Sequence, residues 1–394
     1  MSRAKEGRAV AIIGVGDTQF GKQKGTAIGP LAVSAARDAL VDANLEAKAL
    51  EAIYVGNFCG EVLSGDALLG SLIANRLGIT GIPATRMEGA CASGGLSVQA
   101  AIQAVRYGMV DTAMAIGVEK MTSQTTAVTT QALASAGDQA REMSAGATFP
   151  SLFGMIARAH MDRYGTTRDQ ISSVSVKNRK YGALNPRAHF QAEIELNQVI
   201  ESRPIADPLR LLDCPPISDG AAAVIVTTLE RALDLVSDRA VNVAGIGQAS
   251  GPVALSDAKD ITQLEAPRAA AQRAYADAGL RASDMQAVEV HDCFSISEIL
   301  AIEALGIVPL GEGGAATQSG FTAGGQGGPL VNSSGGLLSK GHPIGATGTS
   351  QVVELVRHLR GEAQYRAFGG STVGLAYNMG GAGAVATVTI LERN

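Results

Sequence analysis

The chain contains no tryptophan, and only 4% of its 394 residues are aromatic. Surfaces that stack sugars or unpaired bases are built from such rings, so both kinds of binding are disfavoured. Cysteine is scarce as well: four residues, at 59, 91, 214 and 293, with neither C-x-x-C spacing nor dense pairing. That pattern excludes a disulfide scaffold, gives no metal-site signal, and fits free thiols in a reducing compartment. There is no excess of basic charge, since 32 Lys and Arg stand against 37 Asp and Glu. A nucleic-acid partner would need a basic face. No run of about 18 apolar residues occurs, which argues against a membrane-spanning helix. Met1–Arg8 is short and charged, with no signal-like apolar stretch after it. The expectation is a soluble cytoplasmic enzyme of the α/β class.

What the chain does have is hydrophobic material, 46% of the residues, and 48 glycines. Gly is thus about 12% of the chain against a usual ~7%. It sits in short knots between apolar segments, where tight turns and close backbone approach are expected. The length suggests two or three domains, and the apolar content suffices for cores without staples.

Apolar runs alternate with helical patterns from the start. Strands are expected at 8–14 (RAVAIIG), 51–56 (EAIYVG) and 111–118 (DTAMAIGV), and a short one at 83–88. Helices are expected at 30–42, 68–77 and 91–107. The segment 121–216 changes character, being rich in Thr, Ser, Gln, Met and Arg, and reads as a helical insertion over the sheet. Its tail, 203–218, carries four prolines and should be irregular. A second alternation follows: strands at 241–247 and 287–291, a helix at 266–278, and a helix at 344–360 with Pro343 at its start and Gly361 at its end. The alternation predicts a mainly parallel sheet covered by helices. GAAAV at 220–224 and GAGAV at 381–385 each lead into a strand, which reads as the trace of an internal duplication. The expected halves are residues 1–235 and 236–394.

Four places offer chemistry. Cys91, in EGACASGG, follows a short strand and opens a helix, where free N–H groups and the dipole favour a thiolate. Gly94 and Gly95 cost helix propensity, roughly 1 kcal/mol each, which is tolerated where a backbone or ligand comes close. A buried structural cysteine is the alternative at this position. His291-Asp292-Cys293-Phe294 ends a strand and leads into a helix, where side chains point into a crevice; a polar turn is the alternative. His342, in SKGHPIGATG, is fixed between Gly341 and Pro343 at the mouth of a helix. The stretch lacks the Lys-Ser/Thr ending of a phosphate loop, and a positioned imidazole beside a thiol is the more economical use. The glycines of 377–384 (YNMGGAGA) would let amides approach a reacting carbonyl, or simply make a tight turn. Two thiols, two imidazoles and an amide-rich loop are the parts of a two-step acyl transfer.

CASG at Cys91, SDGAAAV at 218–224, HDCF at 291–294, GHPIGATG at 341–348 and the terminal GG loop together resemble the thiolase superfamily over almost the whole chain. The resemblance implies a five-layered αβαβα fold from two similar halves, with 121–216 as a loop-domain insertion. Ordinary thiolases carry Asn-Glu at the position of His291-Asp292 and an acid/base cysteine in the terminal loop, where this chain has Asn378. The HDCF form is similar to the sterol-carrier-type and archaeal-like thiolases, whose HDCF thiol takes the acid/base role. No sterol-carrier domain is expected, since the chain stops at Asn394.

Carried over, the resemblance makes Cys91 the acylated nucleophile and His342 its base. His291 polarises the second thioester oxygen, Cys293 moves the α-proton, and the amides of Cys91 and Gly380 form an oxyanion hole. Cys59 and Cys214 match no block and read as structural. The implied reaction is 3-ketoacyl-CoA thiolysis or its Claisen reversal, as in an acetyl-CoA acetyltransferase of lipid metabolism. Substrates are acyl-CoA and CoA, with no bound cofactor and no metal. Partners implied are a homodimer or homotetramer and, in some relatives, a small OB-fold protein. The rivals are a repurposed thiolase-like subunit, lipid-binding or aldolase-associated, and a ketosynthase-like condensing enzyme. Retention of Cys91, His291, Cys293 and His342 together speaks against the first, and Cys293 against the second.

Overall fold

The computed structural model of the chain describes residues 7–363 and 370–393. Most of the charged Met1–Arg8 stretch, and Asn394, therefore lie outside the described residues. The strands, in chain order, are β1 (Val10–Asp17), β2 (Ala52–Gly56), β3 (Ala84–Met87), β4 (Thr112–Glu119), β5 (Pro204–Ala206), β6 (Leu209–Arg210), β7 (Gly220–Thr228), β8 (Val241–Ser250), β9 (Ala287–Glu289), β10 (Leu330–Val331), β11 (Val373–Gly380) and β12 (Val385–Arg393).

Ten of them form a continuous array in the order β10-β9-β11-β12-β8-β1-β7-β4-β2-β3. The array consists of two five-stranded sheets, joined by the pairing of Ala11 and Ile12 with Asn242 and Val241. Each sheet has the same internal order. In the first, β2 pairs in parallel with β3 and β4, and β7 runs antiparallel to both β4 and β1. In the second, β9 pairs in parallel with β10 and β11, and β12 runs antiparallel to β11 and β8.

The duplication extends to detail. β1 carries a bulge between Ile12 and Gly14, and β8 slips between Val243 and Gly245. A Cβ on Gly14 would lie 2.3 Å from Ala39 O, and one on Gly16 2.3 Å from Ala35 O. In the second half, Gly245 meets Ala274 O at 2.4 Å and Gly247 meets Ala270 O at 1.9 Å. Helices Ile28–Asp42 and Glu265–Ala278 thus lie equally close on equivalent strands, because a side chain on either glycine would push them off. The GAAAV and GAGAV echo is, by contrast, out of register. Gly220 opens β7 opposite Glu119, whereas β12 opens at Val385 opposite Gly380, and Gly381 lies in the turn before it. The duplication is real; the words that suggested it are coincidence.

Three apolar layers fill the stack. One packs helix Ile28–Asp42 and helix Leu69–Arg76 onto the first sheet through Ala11, Ile13, Ile53, Met114 and Ile116. The middle one holds helices Ser93–Arg106 and Ile344–Leu359 between the sheets through Val98, Ile102, Val224, Val352 and Leu355. The third covers the second sheet with helices Glu265–Ala278 and Ser295–Ala304. Near-continuous burial along β2 and β4 fits strands covered on both faces. The result is the expected αβαβα stack, but the sheets are not mainly parallel as the alternation predicted, since β1, β7, β8 and β12 all pair antiparallel. The central helices almost touch: a Cβ on Gly94 would sit 2.7 Å from Gly345 O.

The 121–216 insertion is helical, as expected. Its two long helices, Phe149–Tyr164 and Arg168–Ala183, start at capping boxes of Thr148 with Ser151 and Thr167 with Gln170. Their Phe153, Ile156, Ile171 and Val174 join the outer core of the second half. The proline-rich tail is more ordered than its composition suggests, because Pro204–Ala206 and Leu209–Arg210 pair as a small hairpin. The segment 377–384 is also not all loop. Tyr377 to Gly380 belong to β11, whose apolar alternation was masked by Asn378 and the glycines after it.

Candidate active site

Cys91 does not open the long helix. It sits in a single 3-10 turn, Ala90–Ala92, and the helix starts at Ser93. Ala90 is held at φ +51°, a left-handed conformation costing on the order of 1–3 kcal/mol for a residue with a Cβ. Local bonds hold it there: Ala90 N–H donates to Glu88 Oε1 at 2.7 Å, Gly89 N–H donates to Ser93 Oγ at 3.0 Å, and that hydroxyl donates to Ala90 O at 2.7 Å. The outcome is a sharp turn that lifts Cys91 into a cavity.

That cavity has an empty volume of about 970 Å³ and gathers Cys91, Cys293 and His342 on one wall. The insertion supplies much of the rest, with Leu133, Phe149, Phe153 and Pro216. Cys91 Sγ and a ring nitrogen of each of His291 and His342 all lie within 4.8 Å of one another. The two imidazoles meet edge to face, with centroids 5.0 Å apart. His342 Nδ1 lies 2.7 Å from Thr347 Oγ1, and among the described residues its Nε2 is buried without a partner. Gly341, at φ +113°, admits no side chain here because a Cβ would lie 2.7 Å from Ser218 Oγ. Cys293 Sγ is 3.4 Å from Ser297 Oγ. Gly380 ends β11 against the turn that carries Cys91, where a Cβ would lie 2.2 Å from Gly89 O. The amides that bond the Cys91 sulfur are its own and that of Gly381, one residue beyond Gly380.

The expectation of a ready thiolate at Cys91 is not met. Burial pushes its thiol up to about 12, and the two amides recover only part of that. Dehydration of the sulfur outweighs them because the turn sits at the bottom of an apolar chamber. Burial likewise raises the Cys293 thiol. His342 is pushed down to about 3 by burial, and His291 well below its usual range by burial and then by His342. At neutral pH the resting site is therefore a neutral thiol beside two neutral imidazoles. The Cys91, His291 and His342 atoms also form a set of donor types that zinc accepts, and this is a cluster that only the fold assembles.

Other residues were not singled out by sequence. Cys214, read as structural, stands in the cavity wall beside Pro215 and Pro216, because the insertion tail lines the cavity. Its thiol donates to Arg210 O at 3.4 Å. Cys59 is buried near Cys91 and packs with Leu63 and Met121. Glu119, at the end of β4, accepts from Asn57 Nδ2 at 2.8 Å, Phe58 N at 2.9 Å, and Cys59 N and Gly345 N at 3.1 Å. It ties the loop after β2 to the helix that follows His342. Asp292 of HDCF faces away from the chemistry: it accepts from Leu337 N at 2.7 Å and Asn178 Nδ2 at 2.7 Å, anchoring the motif to the insertion. Asn378 contacts both Cys91 O and His291, each at 3.0 Å. Thr347 and Asn378 lay inside motifs already noticed; Glu119 lay at the end of an expected strand with nothing local to mark it.

A family model described as the thiolase N-terminal domain matches residues 10–230, and one described as thiolase C-terminal domain-like matches residues 247–393. The chain is 47% identical to an acetyl-CoA acetyltransferase of Methanothermobacter thermautotrophicus, over 98% of this chain and all of the relative. It is 37% identical to sterol carrier protein 2 of Bos taurus, over 95% of this chain and 71% of that one. Among solved structures, the Ltp2-ChsH2(DUF35) aldolase superposes with a TM-score of 0.85 at 28% identity, covering 99% of both chains. Human mitochondrial 3-ketoacyl-CoA thiolase in complex with CoA superposes with a TM-score of 0.75 at 19% identity, covering 98% of both. The chain belongs to the thiolase family of acyltransferases.

Proposed function

We propose that the chain catalyses thiolysis of 3-ketoacyl-CoA, and its Claisen reversal, through an acyl group carried on Cys91. The observation that carries this reading is the meeting of Cys91, His291 and His342 within 4.8 Å, with Cys293 in the same cavity. In the breakdown direction the Cys91 sulfur bonds to C3 of the substrate, and its proton goes to His342 Nε2. The C2–C3 bond then breaks. Cys293 returns a proton to C2 of the departing acetyl-CoA, whose enolate oxygen is held by His291. CoA finally displaces the acyl group from Cys91. The amides near Cys91, those of Gly380 and Gly381 among them, serve the acyl oxygen. Acyl-CoA and CoA are the substrates, and acetyl-CoA acetyltransferase activity is supported by the 47% identical relative of that name. No helix among the described residues is long and apolar enough to cross a membrane. We assign the chain to cytoplasmic lipid metabolism as a homodimer or homotetramer.

The decisive experiment follows thiolysis of acetoacetyl-CoA by the purified protein at the enolate absorbance, together with intact mass after acetyl-CoA. An added acetyl group on Cys91, protected from iodoacetamide, is the expected result; no acetyl adduct would end the enzymatic reading. The likeness to an Ltp2-ChsH2(DUF35) aldolase favours one second reading, an aldolase-associated subunit that works with a small partner protein. An inactive chain restored by such a partner would select it.

A further inference from the structure

We propose that Asn378 is a positioning residue that locks His291 into the tautomer with its proton on Nε2, and thereby fixes which histidine donates and which accepts. The inference rests on the thiolase chemistry proposed above. The orientation of the Asn378 amide is set by the main chain, because Gly95 N–H donates to Asn378 Oδ1 at 3.1 Å. A backbone N–H cannot reverse its role, so Nδ2 must occupy the other end. Its two hydrogens meet Cys91 O at 3.0 Å and His291 Nδ1 at 3.0 Å. A carbonyl oxygen only accepts. His291 Nδ1, facing the other N–H, must likewise present its lone pair, and a neutral imidazole then carries its proton on Nε2.

The socket for this amide is built into both central helices. A Cβ on Gly348 would lie 2.1 Å from Asn378 Oδ1, and one on Gly95 3.0 Å from the same atom. His342 has the opposite arrangement. The Thr347 hydroxyl donates to Pro343 O at 3.1 Å, so it accepts from His342 Nδ1 at 2.7 Å, and Nε2 is left as a bare, unpartnered lone pair. Two imidazoles with centroids 5.0 Å apart thus serve as a donor and an acceptor. His342 can take the thiol proton and His291 can donate to a thioester oxygen. Neither can do the other's work without a change of tautomer.

The test is Asn378→Asp. A carboxylate still accepts from Gly95 N–H, but it gives up the N–H donated to Cys91 O and offers His291 an acceptor where the amide offered a donor, so the neutral ring carries its proton on Nδ1. Acetyl exchange between acetyl-CoA and CoA, which needs Cys91 and His342, should fall less than tenfold. Thiolysis of acetoacetyl-CoA, which also needs an oxyanion donor at His291, should fall by about 100-fold or more. Equal losses in both reactions would reduce Asn378 to a structural role and overturn the proposal. Should the variant not fold, the wild type decides. In protein labelled with ¹⁵N-histidine, the five histidines give a spectrum in which His291 is assigned by its loss in His291→Gln. A hydrogen on Nε2 is expected, and a hydrogen on Nδ1 would refute the lock. Absence of any acetyl exchange in the wild type would count against the thiolase reading alone, since the tautomer is read without turnover.

Discussion

Replacing Gly348 with alanine is expected to destabilise the protein, against the ordinary trend. Gly348 lies inside the helix Ile344–Leu359, where Gly→Ala normally gains about 1 kcal/mol. Here the new methyl would fall 2.1 Å from Asn378 Oδ1 and 2.3 Å from Gly95 N of the facing helix. The second atom is backbone and cannot swing away. The central helices must separate, an overpacking cost of about 1–3 kcal/mol, and Asn378 is pushed in its socket, weakening three hydrogen bonds worth about 0.5–1.5 kcal/mol each. The two costs overlap, since separation also relieves the clash on Asn378, and do not add in full. After the propensity gain the net loss is roughly 2–4 kcal/mol, read as a shift of the urea midpoint at unchanged slope. Adding Asn378→Ala removes the first clash but not the second, so the double variant should be less destabilised than the two single losses summed. A Gly348→Ala protein as stable as the wild type would refute the close-packing account of both the helix pair and the Asn378 socket.

Three further predictions follow from the site. Burial holds the Glu119 carboxyl at about 7 against an ordinary 4.5, so its contribution to stability is full below pH 4.5 and is lost as pH rises through 7. Relative to Glu119→Gln, the wild type should lose up to roughly 3 kcal/mol across that window, at 1.36 kcal/mol per unit, and a pH-independent difference would refute it. Cys293→Ala should still take an acetyl group on Cys91 but lose about 100-fold or more in acetoacetyl-CoA thiolysis, whereas unimpaired thiolysis would move proton transfer to another group. Tyr377 is fully buried and, among the described residues, its hydroxyl has no hydrogen-bond partner. Tyr377→Phe should therefore leave stability unchanged or raise it by about 1 kcal/mol in urea denaturation, and a loss of more than 2 kcal/mol would show that the hydroxyl has a partner.

Much of the layer structure was legible because it is written in local periodicity. Buried runs such as AIYVG and amphipathic stripes such as Val352, Val356 and Leu359 each report one element without reference to its neighbours. The short strand β10 and the strand character of β11 were not, since two residues carry no period and Asn378 interrupts an apolar run. Cys91, His291, Cys293 and His342 were recognisable from motifs, and the fold brings Cys91, Cys293 and His342 to one cavity with His291 within 4.8 Å of Cys91 and His342. What the motifs do not contain is the second set of contacts. Asn378 reaches Gly95 across 283 residues and Glu119 reaches Gly345 across 226. Such pairs have no signature in a single chain, because Asn378 and Glu119 alone look like ordinary residues near the end of a strand, and Gly95 and Gly345 like ordinary glycines of a helix. The resting charge of Cys91 was misjudged for a related reason: the amides of a turn can be inferred from sequence, but the dry chamber above it is built by a distant insertion.

The duplication accounts for how the site came to be asymmetric. Helices Ser93–Arg106 and Ile344–Leu359 occupy the same place in the two halves, and Cys91 and His342 each lie two residues before their helix. The proposed nucleophile and its proposed base are therefore at equivalent positions, brought together where the central helices nearly touch. Register makes Glu119 the counterpart of Gly380, and Gly117 the counterpart of Asn378, since β4 and β11 end opposite the first residues of β7 and β12. Each pair diverged in size and polarity. Gly117 makes way for the second helix, with a Cβ only 2.4 Å from Gly345 O, while Asn378 fills the space that Gly95 and Gly348 leave. Glu119 binds the helix behind His342, and Gly380 frees the turn beneath Cys91. A symmetric scaffold thus holds two imidazoles in different protonation patterns, because the residues behind them differ and not because the rings do.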